Sequence, residues 1–175
     1  MTACVVWFNG PSSHDWLSAP RWCWEIGCNS RLQDRPMDAV VIYDRQLLGH
    51  ERRDHARRDT QFYTREAAPG YLAVPGIPGI HAEQSGTLAV QLAVVSGHRD
   101  IFIVGCDWGV DRSTVYQYPH ASGPVKYTNS QRQVLQRLAE RPGVTISVVA
   151  DQPRDVNLPH IRSVDYQLIM DHHRT

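Results

Sequence analysis

Short apolar runs alternate with polar or helical segments along this chain. The apolar runs are rich in β-branched residues, as the strands of buried parallel sheets are. We predict strands at residues 3–8, 22–27, 38–43, 61–64, 101–105 and 144–150. Apolar positions at helical spacing predict two helices, at residues 85–96 and 130–140. Strands that alternate with helices are typical of a mostly parallel sheet with helices on both faces, so we expect an α/β fold.

The segments between these elements include two long loops. Residues 67–80 carry several prolines and glycines and are predicted to be irregular. Residues 107–126 lack periodicity and connect a strand to a helix, and loops of that length are often lids or binding loops. The polar tail, residues 151–175, is interpreted as an extension of the domain formed by residues 1–150, with an edge strand or short helix at 164–170.

Composition narrows the class of protein without identifying it. The chain has 175 residues, enough for one domain with a substantial core, and its 18 basic and 18 acidic residues cancel. A neutral chain creates no overall field that would attract nucleic acid or an anionic membrane. No apolar run approaches the roughly 20 residues of a membrane span. The N-terminus is typical of a strand rather than a signal peptide, and the four cysteines form no CxxC pair, so we expect buried free thiols and a cytoplasmic location.

Polar residues come within a few positions of the ends of three predicted strands. Asn9, Gly10 and Ser12 come after the first strand, Asn29 follows the second, and Asp107 follows the strand at 101–105. Because the carboxyl ends of parallel strands meet at one edge of a sheet, where such folds bind ligands, we expect these residues to lie close together. Asparagine both donates and accepts hydrogen bonds, which suits a base edge or ribose hydroxyls, and glycine lets the backbone approach a phosphate.

The helix at 85–96 begins on Ser85-Gly86-Thr87, which offers backbone N–H groups and hydroxyls to an anion. Together with the strand ends, this start predicts a nucleotide site. The sequence contains no GxxxxGK[ST] and no GxGxxG, so neither an ordinary NTPase nor a dinucleotide-binding protein is indicated. Asp107 and Asp111 lie four apart in a loop, a spacing that does not aim two carboxylates at one point, and we predict no metal site.

The order of these motifs resembles the bacterial sialyltransferases of glycosyltransferase family 42 over about residues 3–150. The similar segments are Phe8-Asn9-Gly10-Pro11-Ser12, Cys28-Asn29, the stretch from Ser85-Gly86-Thr87 to Gly105-Cys106-Asp107-Trp108, and the helix start Asn129-Ser130. A tyrosine follows the family's aspartate by eight or nine residues, which resembles Tyr116, with Tyr118 as the alternative.

The resemblance implies a Rossmann-like domain that binds a nucleotide-sugar donor, in this family a cytidine monophosphate (CMP) sugar. Asn9, Asn29, Ser85 and Gly86 would contact the nucleotide, with Gly10, Ser12 and Thr87 beside them, and Tyr116 or Tyr118 would contact the phosphate. Enzymes of this family need no metal, so the donor is a substrate and no cofactor is implied.

The catalytic half of the site departs from the family's pattern. The family has its general-base histidine three residues before the Asn-Ser helix start, where this chain has Lys126. A general base needs a pKa near the working pH, so the nearest histidine, His120, is our first candidate, with Lys126 and Asp107 as alternatives. The segment from Asp44 to Ser85 and the loop after Asp107 are both short for the family. We therefore expect acceptor recognition to be reduced, or to be supplied by a partner chain in a homo-oligomer, and the acceptor stays unidentified.

Two other functions are compatible with the sequence. A protein on the same fold could bind a nucleotide or nucleotide sugar without turning it over, and the missing family histidine favours this reading. A nucleic-acid-binding or -modifying protein would use the local cluster of Arg52, Arg53, Arg57 and Arg58, although the neutral overall charge argues against it.

Overall fold

The structure is a computed structural model that describes residues 3–10, 13, 16–21, 23–29, 35–49, 56–106, 128–150, 158–167 and 169. In this part of the chain one parallel sheet of 8 strands is covered by two α-helices and several short turns. The strands are β1 (Ala3–Trp7), β2 (Trp24–Cys28), β3 (Ala39–Val41), β4 (Gln61–Thr64), β5 (Leu72–Ala73), β6 (Asp100–Val104), β7 (Thr145–Val149) and β8 (Ile161–Val164). The helices are α1 (Ser85–Val95) and α2 (Thr128–Ala139).

The strand order reverses beside β1. The sheet runs β5-β4-β3-β2-β1-β6-β7-β8, so the chain starts in the middle, builds outward to β5, and returns through α1 to the other side of β1. Every strand pairing is parallel. In open sheets of this kind the ligand crevice lies outside the carboxyl ends of the strands where the order reverses. Here that point lies between β1 and β6, just beyond their last residues, Trp7 and Val104.

Alternation along the strands divides the core between the two faces of the sheet. On β1, Cys4 and Val6 belong to the cluster that packs under α1 and α2, whereas Val5 and Trp7 belong to the cluster on the opposite face. Helix α1 is buried on almost all sides, since it contacts β1, β2 and β3 and is itself covered by α2. The opposite face is covered by segments around residues 16–19 and 45–48 and by the helical residues Tyr166 and Ile169.

The prediction of an α/β fold with a parallel sheet is confirmed. All six predicted strands and both predicted helices are present, and their ends differ from the prediction by at most two residues. Two edge strands were missed: β5 lies inside the stretch expected to be irregular, and β8 lies before residues 165–170. In the stretch proposed for an edge strand or short helix, Tyr166, Gln167 and Ile169 are helical, which agrees with the second alternative. No helix in the described ranges is long and apolar enough to cross a membrane.

A buried ion-pair network ties β2 and β3 to the segments that cover the opposite face. Arg35 Nη2 donates to Glu25 Oε1 at 2.9 Å, and its Nη1 donates to the carbonyls of Leu17 and Ala19. Asp38 accepts from the Glu25 backbone N–H at 2.8 Å and pairs with both Arg21 and Arg57. Arg57, a member of the arginine cluster considered for nucleic acid, is therefore paired with Asp38 within the fold.

Candidate functional site

Ser85 joins the carboxyl ends of β2 and β3 to the start of α1. Its hydroxyl donates to Asn29 Oδ1 at 2.7 Å and accepts the Tyr43 backbone N–H at 2.9 Å. Asn29 follows β2 directly and Tyr43 follows β3 by two residues, so three separate chain segments meet on one oxygen atom. The serine is 7% exposed, and the cluster is therefore a fixed part of the sheet edge.

The Asn29 amide faces Ser85 with its oxygen. The Ser85 hydroxyl donates to Asn29 Oδ1 and its oxygen accepts the Tyr43 N–H, so the NH2 end of the amide is not engaged by Ser85. Asn29 also has a φ of 53°, in the left-handed region that asparagine tolerates better than most residues. Its backbone N–H donates to the Val41 carbonyl at 3.0 Å, which holds this conformation in place.

Helix α1 begins without a side-chain cap. Its N-cap residue, Gln84, is extended and makes no capping hydrogen bond through its side chain. The first intrahelical bond runs from the Leu88 N–H to the Gln84 carbonyl at 2.9 Å, so the N–H groups of Ser85, Gly86 and Thr87 have no acceptor inside the helix. Such a start attracts anions, because the unpaired N–H groups and the helix dipole act together.

Gly86 allows the end of β1 to pack on the start of α1. A Cβ at this position would lie 2.7 Å from two carbons of the Phe8 ring, which is closer than carbon atoms can approach. The glycine therefore has a packing role in addition to the phosphate contact expected for it. Thr87 is similar, since it is 1% exposed and its hydroxyl donates to the Gln84 carbonyl at 3.1 Å.

The turn after β1 is held against the end of β6. The Gly10 N–H donates to the Gly105 carbonyl at 3.0 Å, and the Gly10 carbonyl accepts both the N–H and the hydroxyl of Ser13. Gly105 has a φ of +77°, and a Cβ there would lie 2.7 Å from Ser13 Cβ and 2.8 Å from the Phe8 carbonyl oxygen. In the sequence this glycine marks only the end of a predicted strand, although glycine at such a position is itself a signal of close backbone approach.

Asn9 lies in this turn, between the ends of β2 and β6. Its side-chain Oδ1 is buried and has no hydrogen-bond partner within the described part of the chain. The backbone on either side is fixed by the Phe8 N–H, which donates to the Val104 carbonyl at 2.8 Å, and by the Gly10 bond to Gly105. A buried acceptor without a donor is costly, so this atom is suited to receive a ligand N–H or O–H.

Two further residues at the same edge were missed by the sequence analysis. Tyr43 follows β3 and Arg65 follows β4 directly, so both obey the strand-end rule that selected Asn9 and Asn29. The Arg65 guanidinium donates from Nη1 to the Tyr43 hydroxyl at 3.0 Å and lies 5.9 Å from the centre of that ring. Position alone was the signal, because neither residue belongs to a phosphate-binding or catalytic motif.

The remaining predicted site residues lie outside the described residues: Ser12, Asp107, Tyr116, Tyr118, His120 and Lys126. Their assignments stay predictions.

Near the start of α1, a shallow depression is lined by His81, Glu83, Gln84, Thr87, Ser130, Gln131 and Val134. Among the described residues no group of three or more histidine, cysteine, aspartate or glutamate side chains is arranged to hold a metal ion.

The fold is similar to that of solved glycosyltransferases. The Maf glycosyltransferase of Magnetospirillum magneticum superposes with a TM-score of 0.67 and 14% identity over 95% of this chain, which spans only 34% of the Maf chain. The α-2,3-sialyltransferase Cst-I of Campylobacter jejuni gives a TM-score of 0.59 and 14% identity, covering 85% of this chain and 75% of its own. Monomeric CstII gives 0.56 and 12%, covering 99% of both chains.

These neighbours show that the described part of the chain has a sialyltransferase-like α/β fold. The TM-scores of 0.67 and 0.56 establish the architecture. Identities of 12–14% do not establish an activity, which has to be inferred from the site. No protein-family model matches the chain, and no curated protein matches it by sequence.

Proposed function

We propose that this chain is a glycosyltransferase-type domain that binds a CMP-sugar donor at the carboxyl edge of its sheet. The observation that carries the proposal is the convergence of Asn29, Tyr43 and the uncapped start of α1 on the Ser85 hydroxyl. An anion site at a helix start, beside two asparagines with unused polar groups, matches the phosphate, ribose and base of a nucleotide.

Each part of the donor contacts a different set of these groups. The backbone N–H groups at Ser85-Gly86 receive the phosphate, and the Ser85 hydroxyl, already bonded inside the protein, positions Asn29. The Asn29 NH2 and the buried Asn9 Oδ1 offer a donor and an acceptor to the ribose and base. Cytidine is favoured over other nucleosides because CstII has been solved with CMP and with CMP-3FNeuAc, and the architecture here is similar.

The proposed reaction is a direct displacement. The acceptor hydroxyl attacks the anomeric carbon of the donor sugar, the bond from that carbon to the CMP phosphate oxygen breaks, and the acceptor proton passes to a general base. His120 is the first candidate for the base, with Lys126 and Asp107 as alternatives, and Tyr116 or Tyr118 stabilises the departing phosphate together with the start of α1. Four cysteines that are all free thiols favour a reducing compartment such as the cytoplasm.

Calorimetry with CMP, UMP, GMP and AMP tests the proposal. We expect CMP to bind in the micromolar range and at least tenfold more tightly than the purine nucleotides. Failure of all four to bind would remove the nucleotide site, and tighter binding of a purine would overturn the assignment of the donor.

A second candidate function is a non-catalytic binding protein on the same site. The specific observation is Lys126, which stands where the resembled family has its general-base histidine. If CMP binds, hydrolysis of a CMP-sugar by the wild-type protein and by His120→Ala separates the two functions. Hydrolysis above background that falls in the variant supports the enzyme, whereas background rates in both support the binding protein.

A further inference from the structure

Arg65 and Tyr43 form a preorganised cationic pair beside the proposed nucleotide site. The guanidinium contacts Tyr43 in two ways: Nη1 donates to the tyrosine hydroxyl at 3.0 Å, and Cζ lies 5.9 Å from the centre of the ring. The tyrosine is in turn fixed because its backbone N–H donates to Ser85 and its ring packs against the core under α1. A long side chain that would otherwise lose rotamer entropy on binding is thus held before any ligand arrives.

The charge of Arg65 is not neutralised by the described part of the chain. Arg65 is exposed and forms no ion pair with any described residue. The neighbouring Arg45 is paired with Glu66, so those two charges offset each other at the same edge. Asp44 is also exposed there and forms no ion pair with Arg65. The guanidinium keeps four of its five N–H donors after the bond to Tyr43.

The carboxyl ends of neighbouring strands form a row, and the Arg65–Tyr43 pair lies further along this row than the nucleotide-binding groups. Asn9, Asn29, Tyr43 and Arg65 follow β1, β2, β3 and β4, which are neighbours in that order. At about 4.8 Å per strand, the edge from β1 to β4 measures about 14 Å, more than a nucleoside alone would cover. The start of α1 contacts the same stretch of edge through Ser85, so a phosphate there leaves the Arg65 end for whatever the phosphate carries.

We infer that Arg65, positioned by Tyr43, binds an oxyanion that the substrate carries beyond its nucleoside monophosphate. This inference rests on the proposed function, because it needs a nucleotide at the Ser85–Asn29 cluster. The oxyanion is a carboxylate on the transferred sugar or a further phosphate, since the planar guanidinium pairs with either in a two-point contact. With the carboxylate as its partner, the arginine selects for an acidic sugar; with a further phosphate, it selects for a nucleoside diphosphate over a monophosphate.

Calorimetry with three ligands tests the inference: CMP, the unreactive donor CMP-3FNeuAc, which carries a sugar carboxylate, and CDP, which carries a second phosphate. The variants are Arg65→Met, which removes the charge and keeps the length, and Arg65→Lys, which keeps the charge and loses the planar fork. Arg58→Met is the matched control, because Arg58 is an exposed arginine that precedes β4, at the opposite end of the same strand.

We expect Arg65→Met to weaken one of the two longer ligands about tenfold or more while leaving CMP within about twofold of wild type. Loss for CMP-3FNeuAc assigns the sugar carboxylate, and loss for CDP assigns a second phosphate. Arg65→Lys is expected to fall between wild type and Arg65→Met, and Arg58→Met to match wild type. Equal affinities of wild type and Arg65→Met for all three ligands overturn the inference, as does an equal loss for CMP itself. If wild-type protein binds none of the three ligands, the proposed function itself fails. That result is distinct from the two outcomes that overturn only the inference about Arg65.

Discussion

The Ser85 hydroxyl donates to Asn29 Oδ1 at 2.7 Å across 56 residues of sequence. Because the same oxygen accepts the Tyr43 N–H, a single buried atom sets the distance between α1 and the ends of two strands. The hydroxyl is therefore a structural link within the site, and the groups left for a ligand are the backbone N–H groups of the helix start and the NH2 of Asn29.

Ser85→Ala removes both bonds and leaves two partly buried groups, the Tyr43 N–H and Asn29 Oδ1, without this partner. We expect the free energy of unfolding to fall by about 2 kcal/mol, measured by urea denaturation. We also expect affinity for CMP to fall about tenfold, because the Asn29 amide is then free to turn.

Ser96→Ala is the matched control for this variant, since Ser96 is an exposed serine at the other end of the same helix. It is expected to change stability by less than about 0.5 kcal/mol and to leave CMP binding unchanged. If Ser85→Ala behaved like Ser96→Ala, the Ser85 link would have no energetic importance.

The fold was predictable because its central strands are short apolar runs, whereas the exposed segments of the chain are mostly polar. Strand β1 and strand β7 are buried along nearly their whole length, so composition alone distinguishes them. Strand β5 could not be found in this way. It consists of two exposed residues, Leu72 and Ala73, and it is a strand only because Tyr63 and Thr64 of β4 pair with it.

The site was predictable only in part. The rule that ligands bind at strand ends identified Asn9 and Asn29 from their positions. The reason for Gly86 was not visible, because its conflict with a side chain comes from the Phe8 ring, which reaches it only when β1 packs against α1. The Arg65–Tyr43 pair is of the same kind, since it depends on which strands are neighbours in the sheet.

Gly105→Ala is expected to destabilise the protein more than Gly97→Ala. Both glycines have a positive φ, +77° and +91°, so an alanine strains the backbone by about 1–2 kcal/mol at either position. At Gly97 the added methyl meets nothing within 4 Å, whereas at Gly105 it meets Ser13 and the Phe8 carbonyl. We expect Gly105→Ala to cost at least about 3 kcal/mol in urea denaturation and to weaken CMP binding, because the Asn9 turn must move. Equal costs at the two positions would contradict the close approach.

Cys23 is expected to resist alkylation in the folded protein. Burial, followed by the nearby Glu25 carboxylate, raises the pKa of its thiol to about 12, so little thiolate exists at neutral pH. Burial also raises the pKa of Cys4. Iodoacetamide at pH 8 followed by mass spectrometry should leave both thiols unmodified until denaturant is added. Rapid modification of Cys23 in buffer would contradict this expectation and would mean that the segments covering the opposite face of the sheet open readily.

Glu25 is expected to make the stability of the protein depend on pH. Burial raises the pKa of its carboxyl from an ordinary value near 4.5 to about 7, against the lowering effect of Arg35 and Arg21. The folded state therefore holds a proton that the unfolded state has released between these two pH values. The resulting stabilisation is fully present below pH 4.5 and is lost as the pH rises through 7, with an upper limit of about 3 kcal/mol.

Urea denaturation of wild type and Glu25→Gln at several pH values between 4.5 and 8 isolates this effect, because the other titrating groups are common to both proteins. The free energy of unfolding of wild type minus that of Glu25→Gln should decrease across this range and level off above pH 7. The sign at any one pH also depends on Arg35, which loses its charged partner in the variant, so the slope is the quantity to measure. A difference that stays constant with pH, or increases, would show that the Arg35 pair keeps Glu25 charged in the folded protein throughout.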